Sequence, residues 1–374
     1  MKEKYSGKEV IRAGEDFLSD EIFDDEERLH HAMNVLSYWR FKHEGSLDAG
    51  LSLLSDEVLK KDKKAIFAKR LKRYASIVSK LRRFPKMKLK NMQDIGGCRA
   101  IVGNQKKLYQ VVRELRRRPE FKNNKGKIRY KDYIEKPKPD GYRGYHLIGT
   151  FPDTRGENRL IELQLRTKLQ HDWATALEIV DLFTGQALKS NQGKEEWAEF
   201  FSLVSQHFAL MESVHLFSSK KQKEQLEGYR SKLKENPHFG KSGNDIQISE
   251  AKLRVVRNLE AFAHSLKTAD EHLSENQVFG YVLLRIDTVN ANVESTLFSN
   301  DDTKEAEKRY LQYEKDAAEN NDLVVALVST TAVGGIKEAY PNYFADSTEF
   351  LKYLSYILHT QMVEKRSIFG GLFG

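Results

Sequence analysis

Cysteine is almost missing from this chain of 374 residues: Cys98 is its only one. A lone thiol excludes an internal disulfide and any thiolate zinc cluster, and it points to a reducing, intracellular, cytoplasmic setting. There is no apolar run of membrane-spanning length and no secretory apolar segment, so the expectation is a soluble protein with no membrane partner. Internal repeats and low-complexity tracts are also missing, which argues against solenoids and disordered linkers. His171 and Asp172 invite a metal-hydrolase reading, but no matching set of His and Asp precedes them, and a metal site needs several ligands in one neighbourhood. The expected role of His171, with Trp173, is to pack a helix.

What is present is charge. Sixty-two Lys and Arg against 54 Asp and Glu leave a surplus of +8, which points towards polyanions such as nucleotides or RNA. The 40% hydrophobic content and the length suffice for two domains with a real core.

Apolar spacing over residues 8–60, as in Ala32, Leu36 and Trp39, predicts two or three helices broken at Gly45-Ser46. Lys60–Arg83 reads as one basic helix that buries Ile66, Leu71, Val78 and Leu81 and projects Arg70, Lys72, Arg73 and Lys80. A strand over 97–102, a helix over 105–118, strands near 127–135, 145–151 and 160–166, and a helix over 168–182 predict a mixed sheet backed by helices. Further helices are expected over 195–214, 218–234 and 250–273, with the polar stretch 235–244 as a domain boundary. Beyond it come a hairpin or long strand over 280–298, a charged helix over 302–319, a strand over 323–330 and a helix over 347–360. The fold class is therefore α+β. Its expected parts are N-terminal helices (1–60), a core (61–190), a helical extension (191–244) and a small C-terminal α+β module (245–374).

The chemistry concentrates in three stretches. In Asn158–Thr167, strict alternation sends Ile161, Leu163 and Leu165 to one face and Glu162, Gln164 and Arg166 to the other. Met92–Val102 places Asp94 at the mouth of a strand, and Lys131–His146 is a loop loaded with cations and aromatics. Two carboxylates on strand ends among many cations are the parts that phosphoryl-type transfer needs: Asp94 and Glu162 for metal, and Arg70, Lys72, Lys80, Arg99, Lys131, Lys138, Arg166 and Lys168 for phosphate and base contacts. Tyr142 reads as a stacking platform for a purine or an unpaired nucleotide, against the plainer reading of an aromatic packed on the sheet.

The runs Arg70-x-Lys72-x-x-x-Ser76-x-x-x-Lys80, Asp94-Ile-Gly-Gly-Cys-Arg99, Lys131-Asp-Tyr-Ile…Lys138…Gly-Tyr142-Arg-Gly-Tyr-His146 and Ile-Glu162-Leu-Gln164-Leu-Arg166-Thr resemble, in order, the synthetase domain of the RelA/SpoT family over residues 30–190. The resemblance implies a nucleotidyltransferase-like fold and transfer of pyrophosphate from ATP to a ribose 3′-hydroxyl with Mg2+. It implies that Arg70 and Arg99 sandwich adenine, and that Lys72, Ser76 and Lys80 hold the ATP phosphates. Asp94 and Glu162 would bind magnesium, Glu162 would assist deprotonation of the acceptor, and Tyr142 would stack on the acceptor base. His146, Gln164 and Arg166 would position the site, with Lys131 and Lys138 on the acceptor side. Asp140 stands where family members often carry asparagine.

Two acceptors share this chemistry: GDP or GTP, giving a (p)ppGpp alarmone, and the 3′ CCA end of tRNA. The domain layout is more similar to the fused toxin-antitoxin synthetases called CapRel, which favours tRNA and implies a C-terminal module that restrains the enzyme until a partner, a phage protein, releases it. Tyr340, Tyr343, Phe344, Phe350 and Tyr353 are candidates for the restraining contact, although filling the module's own core is the ordinary role of any one of them. A catalytically dead RNA-binding or sensing module is the reading from another class, and the presence of Asp94, Glu162 and Tyr142 argues against it.

Overall fold

The computed structural model describes residues 5–72, 74–153, 155–184, 194–213, 221–257, 259, 280–287, 292–299, 302, 305–306, 308–310, 312–313, 316, 323–329 and 348–370. The chain forms two compact units. The first comprises Met1–Tyr133 with Gly144–Thr167, and the second comprises Ile134–Arg143 with Lys168–Gly374.

The first unit opens with α1 (Gly7–Asp16), α2 (Glu26–Phe41) and α3 (Glu44–Leu59). Ser6 and Glu9 cap α1 reciprocally, each side chain taking the other's backbone N–H. Gly45 and Ser46 do not break the pattern as expected. They lie in the first turn of α3, and the chain bends at Lys42-His43 instead. His43 is buried, with Nδ1 2.8 Å from Trp39 O, and burial pushes its imidazole down to about 4.

The single basic helix expected over Lys60–Arg83 is two elements: β1 (Ile66–Leu71), then α4 (Tyr74–Arg83). Ala68, Leu71, Ala75 and Val78 satisfy a helical spacing, but β1 pairs antiparallel with β2 (Gly96–Val102) from Ile66↔Ile101 to Leu71↔Gly96. Ladder hydrogen bonds to a neighbouring strand decided the matter, and as part of an edge strand Ile66 is left 59% exposed. After α5 (Gln105–Leu115) come β3 (Arg129–Asp132), β4 (Tyr145–Pro152) and β5 (Asn158–Thr167). The mixed five-stranded sheet has the order β1-β2-β5-β4-β3, with only the β2–β5 pair parallel.

One face of this sheet is apolar. Cys98, Leu147, Phe151, Ile161, Leu163 and Leu165 are buried on it, and α3 and α5 pack against its strands. Gly149 lies here because a Cβ would come within 2.4 Å of Phe151 and 2.8 Å of Phe121.

The second unit contains α6 (Lys168–Thr184), α7 (Lys194–Glu212), α8 (Gln222–Glu235) and α9 (His238–Leu253). The polar stretch 235–244, expected as a domain boundary, runs largely into α9, where Gly243 and Ile246 are buried. His207 ties three of these helices together: Nδ1 is 2.6 Å from Tyr229 Oη and Nε2 is 2.9 Å from Ser242 Oγ. Trp173 Nε1 donates to Phe201 O at 2.9 Å, joining α6 to α7.

Farther along are β6 (Gly280–Asp287), β7 (Asn292–Ser299) and β8 (Leu323–Ser329), an antiparallel sheet of order β7-β6-β8. Leu283, Phe298 and Ala306 form its core with Tyr310 and Tyr313. The last helix, α10 (Thr348–Gly370), packs on α6, α7 and α9. Phe350 is fully buried and stacks on Phe201, while Tyr353 meets Phe208 edge-on. Both aromatics are thus packed against α7. Tyr340, Tyr343 and Phe344 lie outside the described residues, as does most of the segment 254–279.

Candidate active site

The sheet opposes its apolar face with a chemical one, and strand register places its members. In β5 the side chains of Glu162, Gln164 and Arg166 alternate with the buried leucines. Gly97 pairs with Glu162 and Arg99 with Gln164 across the parallel β2–β5 ladder, so Arg99 shares the face of Glu162 and Gln164. His146 pairs with Gln164, and Lys131 with His146. Arg70 pairs with Gly97 at the other edge. Two rows therefore cross the sheet: Arg99, Gln164, His146 and Lys131 form one, and Arg70, Gly97, Glu162 and Ile148 form the next. Arg129, paired with Ile148, extends the second row. Sequence reasoning missed Arg129, although the alternation Arg129-Tyr130-Lys131 was there to find it.

Glu162 anchors a chain of hydrogen bonds. His146 Nδ1 lies 3.0 Å from Oε1, Gln164 Nε2 donates to Oε2 at 2.6 Å, and Arg166 Nη2 donates to Gln164 Oε1 at 3.4 Å. Burial pushes the Glu162 carboxyl up, but the His146 bond and charge, the Gln164 amide and the charge of Lys80 outweigh it and hold the group at about 2. The carboxylate is thus ionised, and His146 Nδ1 is the donor.

Asp94 stands just before β2, where Lys72 leaves β1 and Lys80 projects from α4. Lys72 Nζ donates to Oδ2 at 2.9 Å, and Lys80 Nζ forms an ion pair with Oδ1 at 2.8 Å. Lys72 N also donates to Ile95 O at 2.7 Å, carrying the β1–β2 ladder up to the site. Ser76 lies one helical turn before Lys80 and is exposed, as is Arg70. The cations expected on one helix thus come from a strand, its exit and the following helix.

Lys138 and Tyr142 belong to the loop segment Ile134–Arg143 of the second unit. Tyr142 is buried, with Lys138 Nζ 4.5 Å from its ring centroid. Asp140 Oδ1 accepts the Tyr142 N–H at 2.9 Å, a bond that asparagine would also make, so the departure at this position keeps the turn. Gly141, at φ +90, sits against α7, where an added Cβ would be 2.9 Å from Ser202 Cα. Ser205 Oγ donates to Gly141 O, and Arg143 Nε donates to Ser205 Oγ at 3.2 Å. Lys168 pairs with Asp172 at 3.1 Å.

The donor set suits magnesium that arrives with a nucleotide. Among the described residues no three His, Cys, Asp or Glu side chains cluster to hold a metal. Asp94 Oδ1 is buried and makes no aligned hydrogen bond, its one partner being the Lys80 charge. Magnesium characteristically takes one or two carboxylates plus substrate phosphates, which Asp94 and Glu162 can supply.

Asp94 with its two lysines, and Glu162 with His146 and Gln164, are the charged groups that the structure gathers at and beside this face. Residues 69–179 match the family described as the region found in RelA/SpoT proteins. It is 35% identical over 114 residues to the GTP pyrophosphokinase YwaC of Bacillus subtilis, covering 28% of this chain and 52% of that protein. It is 36% identical over 111 residues to the GTP pyrophosphokinase YjbM of the same organism, covering 28% and 51%. The chain thus spans about half the length of these curated relatives. Among solved structures, small alarmone synthetase 2 from Bacillus subtilis aligns with 26% identity and a TM-score of 0.39 over 48% of this chain and 93% of that one. Small alarmone synthetase 1, bound to its product pppGpp, aligns with 23% identity and a TM-score of 0.37 over 45% and 89%. Among the described residues no helix is long and apolar enough to cross a membrane.

Proposed function

We propose that the chain is an ATP-dependent pyrophosphotransferase that moves the β,γ-pyrophosphate of ATP to a ribose 3′-hydroxyl, with the 3′ CCA end of tRNA as acceptor. The observation that carries the chemistry is an ionised Glu162, held by His146 and Gln164, that feels the charge of Lys80, the lysine that pairs with Asp94. In this reading Lys72, Ser76 and Lys80 bind the donor phosphates, and Arg70 and Arg99 bind the adenine. Tyr142 stacks on the acceptor base, and Lys131, Lys138 and Arg166 steady the acceptor. Magnesium held by Asp94 and Glu162 would neutralise phosphate charge when bound with ATP.

The acceptor oxygen attacks the β-phosphorus, the bond to the α-phosphate oxygen breaks, AMP leaves, and the hydroxyl proton passes to Glu162. A carboxyl held at about 2 is a weak base.

GDP or GTP is the second reading, favoured by the relatives' description as GTP pyrophosphokinases. The deciding experiment incubates full-length protein with γ-labelled ATP and either guanine nucleotides or bulk tRNA. Label on tRNA alone supports the first reading, and label on the nucleotide alone overturns it. The same reading gives residues 245–374 a restraining role that a phage protein lifts. A protease site placed between Leu259 and Gly280 should accelerate labelling once cut, and an unchanged rate after complete cleavage would remove that role.

A further inference from the structure

Two stretches concentrate the positive charge of this chain: residues 60–91, with fourteen Lys and Arg against one Asp, supply the cations beside Asp94, and a second stretch follows β2. Residues 104–128 hold nine Lys and Arg against two Glu, a surplus of seven. Three of these cations are paired: Lys107 with Asp62, Arg117 with Glu114, and Arg118 with Glu57 and Glu120. Among the described residues Lys106, Arg113, Arg116, Lys122, Lys125 and Lys127 have no carboxylate partner, and all six are exposed. Like charges crowded at this density repel one another, so they serve something outside the fold.

Their arrangement is a surface. Tyr109, Val112 and Arg113 of α5, with Arg116 and Arg117 in the turn that ends it, line an open groove of about 400 Å³. The groove abuts β3. Tyr130, 44% exposed, stacks on Tyr145 with ring centroids 5.7 Å apart and planes at 6°, and the Arg116 guanidinium lies 4.6 Å from its centroid. Tyrosine rings and arginine planes beside phosphate-binding cations are the surfaces that unpaired nucleotides use.

The topology links this surface to the chemistry. β3 is an edge strand, and its side chains alternate: Tyr130 and Asp132 face α5, where Tyr109 Oη donates to Asp132, while Arg129 and Lys131 lie on the catalytic face in register with Ile148 and His146. A mononucleotide cannot span both faces of a sheet. A polynucleotide can lay its backbone along α5, turn round the edge at β3 and present its end to the row Lys131, His146, Gln164.

We infer that the α5–β3 surface is an RNA-docking site, recognised through phosphates and one or two unpaired bases, that delivers a 3′ end to the catalytic face. This rests on the tRNA reading above and adds the surface that would serve it. The test measures binding of fluorescently labelled bulk tRNA to full-length protein between 50 and 200 mM salt. The comparison is Arg113→Gln/Arg116→Gln/Lys125→Gln, none of which touches the catalytic face. The variant should bind tRNA at least tenfold more weakly at the lower salt. Its slope of log affinity against log salt should be shallower by about 2–3, since each lost phosphate contact removes about 0.7–0.9. Labelling of GDP or GTP, where the wild type performs it, should be unchanged.

Wild-type tRNA affinity and slope in the variant, or equal competition by a polyglutamate peptide of matched charge, would overturn the site. Should the triple variant melt early, Lys122→Gln/Lys125→Gln/Lys127→Gln in the adjoining turn tests the same expectation. The two readings fail separately. Wild-type protein that binds tRNA with the steep slope but labels only guanine nucleotide refutes tRNA as acceptor and keeps the surface. A variant that labels tRNA with unchanged KM refutes the surface and keeps the acceptor.

Discussion

His146 sits opposite Gln164 in the β4–β5 ladder, yet its Nδ1 reaches diagonally to Glu162 Oε1 at 3.0 Å. Diagonal neighbours on one face of an antiparallel pair lie within reach of a long or aromatic side chain, and here the reach fixes both the ionisation and the orientation of the carboxylate. Gln164 closes the other side of Glu162, so neither oxygen is left to rotate.

Glu162→Gln should abolish pyrophosphate transfer, by about 10²–10⁴-fold or more in kcat, because it keeps the size and removes the charge that accepts the proton. The melting temperature should stay close to wild type, and transfer at the wild-type rate would refute the assignment.

His146→Ala should shift the acidic limb of the kcat/KM profile to higher pH. Wild-type Glu162 is ionised above about 2; without the His146 bond, burial dominates and its carboxyl rises. Measuring the rate from pH 4 to 8 checks this, and an unmoved limb would mean that another group sets it.

Lys72→Ala and Lys80→Ala should both weaken ATP binding, but Lys80→Ala leaves Glu162 more basic, so its single-turnover rate at saturating ATP should not fall below that of Lys72→Ala. Lys80 lies against Asp94 and also lowers Glu162, while Lys72 reaches Asp94. Separate measurement of ATP binding and of single-turnover rate distinguishes the two.

Acid should destabilise the protein between pH 6.5 and about 4. Burial holds His43 and His207 at about 4, below their ordinary 6.5, so the unfolded chain binds protons first as pH falls. Their contribution is fully present above 6.5 and is lost on the way down to 4, by up to about 3 kcal/mol each. His207→Gln should flatten the dependence of the urea midpoint on pH.

Cys98 should resist alkylation in the native protein and react on unfolding. Its thiol is buried against Leu47 O, and burial pushes it up to about 12. Rapid native modification would mean that α3 opens readily from the sheet.

The sequence by itself determined the two-faced sheet. Alternation in Ile161–Arg166 and the leucines between its polar residues left only one way to bury the strand, because a one-residue slip would put Glu162 and Arg166 into the α3 side. It also determined the cation and carboxylate types, hence the class of chemistry. Only tertiary structure decided that Lys60–Arg83 divides into β1 and α4, since apolar spacing there suits either form and the ladder with β2 chose. It alone set the pairing of Lys72 and Lys80 on Asp94 and the diagonal from His146 to Glu162, which join residues 14–22 positions apart through register. It also placed Phe350 and Tyr353 in the core beside α7: an aromatic spaced for a helix states that it will be buried, and what buries it is settled by the partner helix that complements its shape.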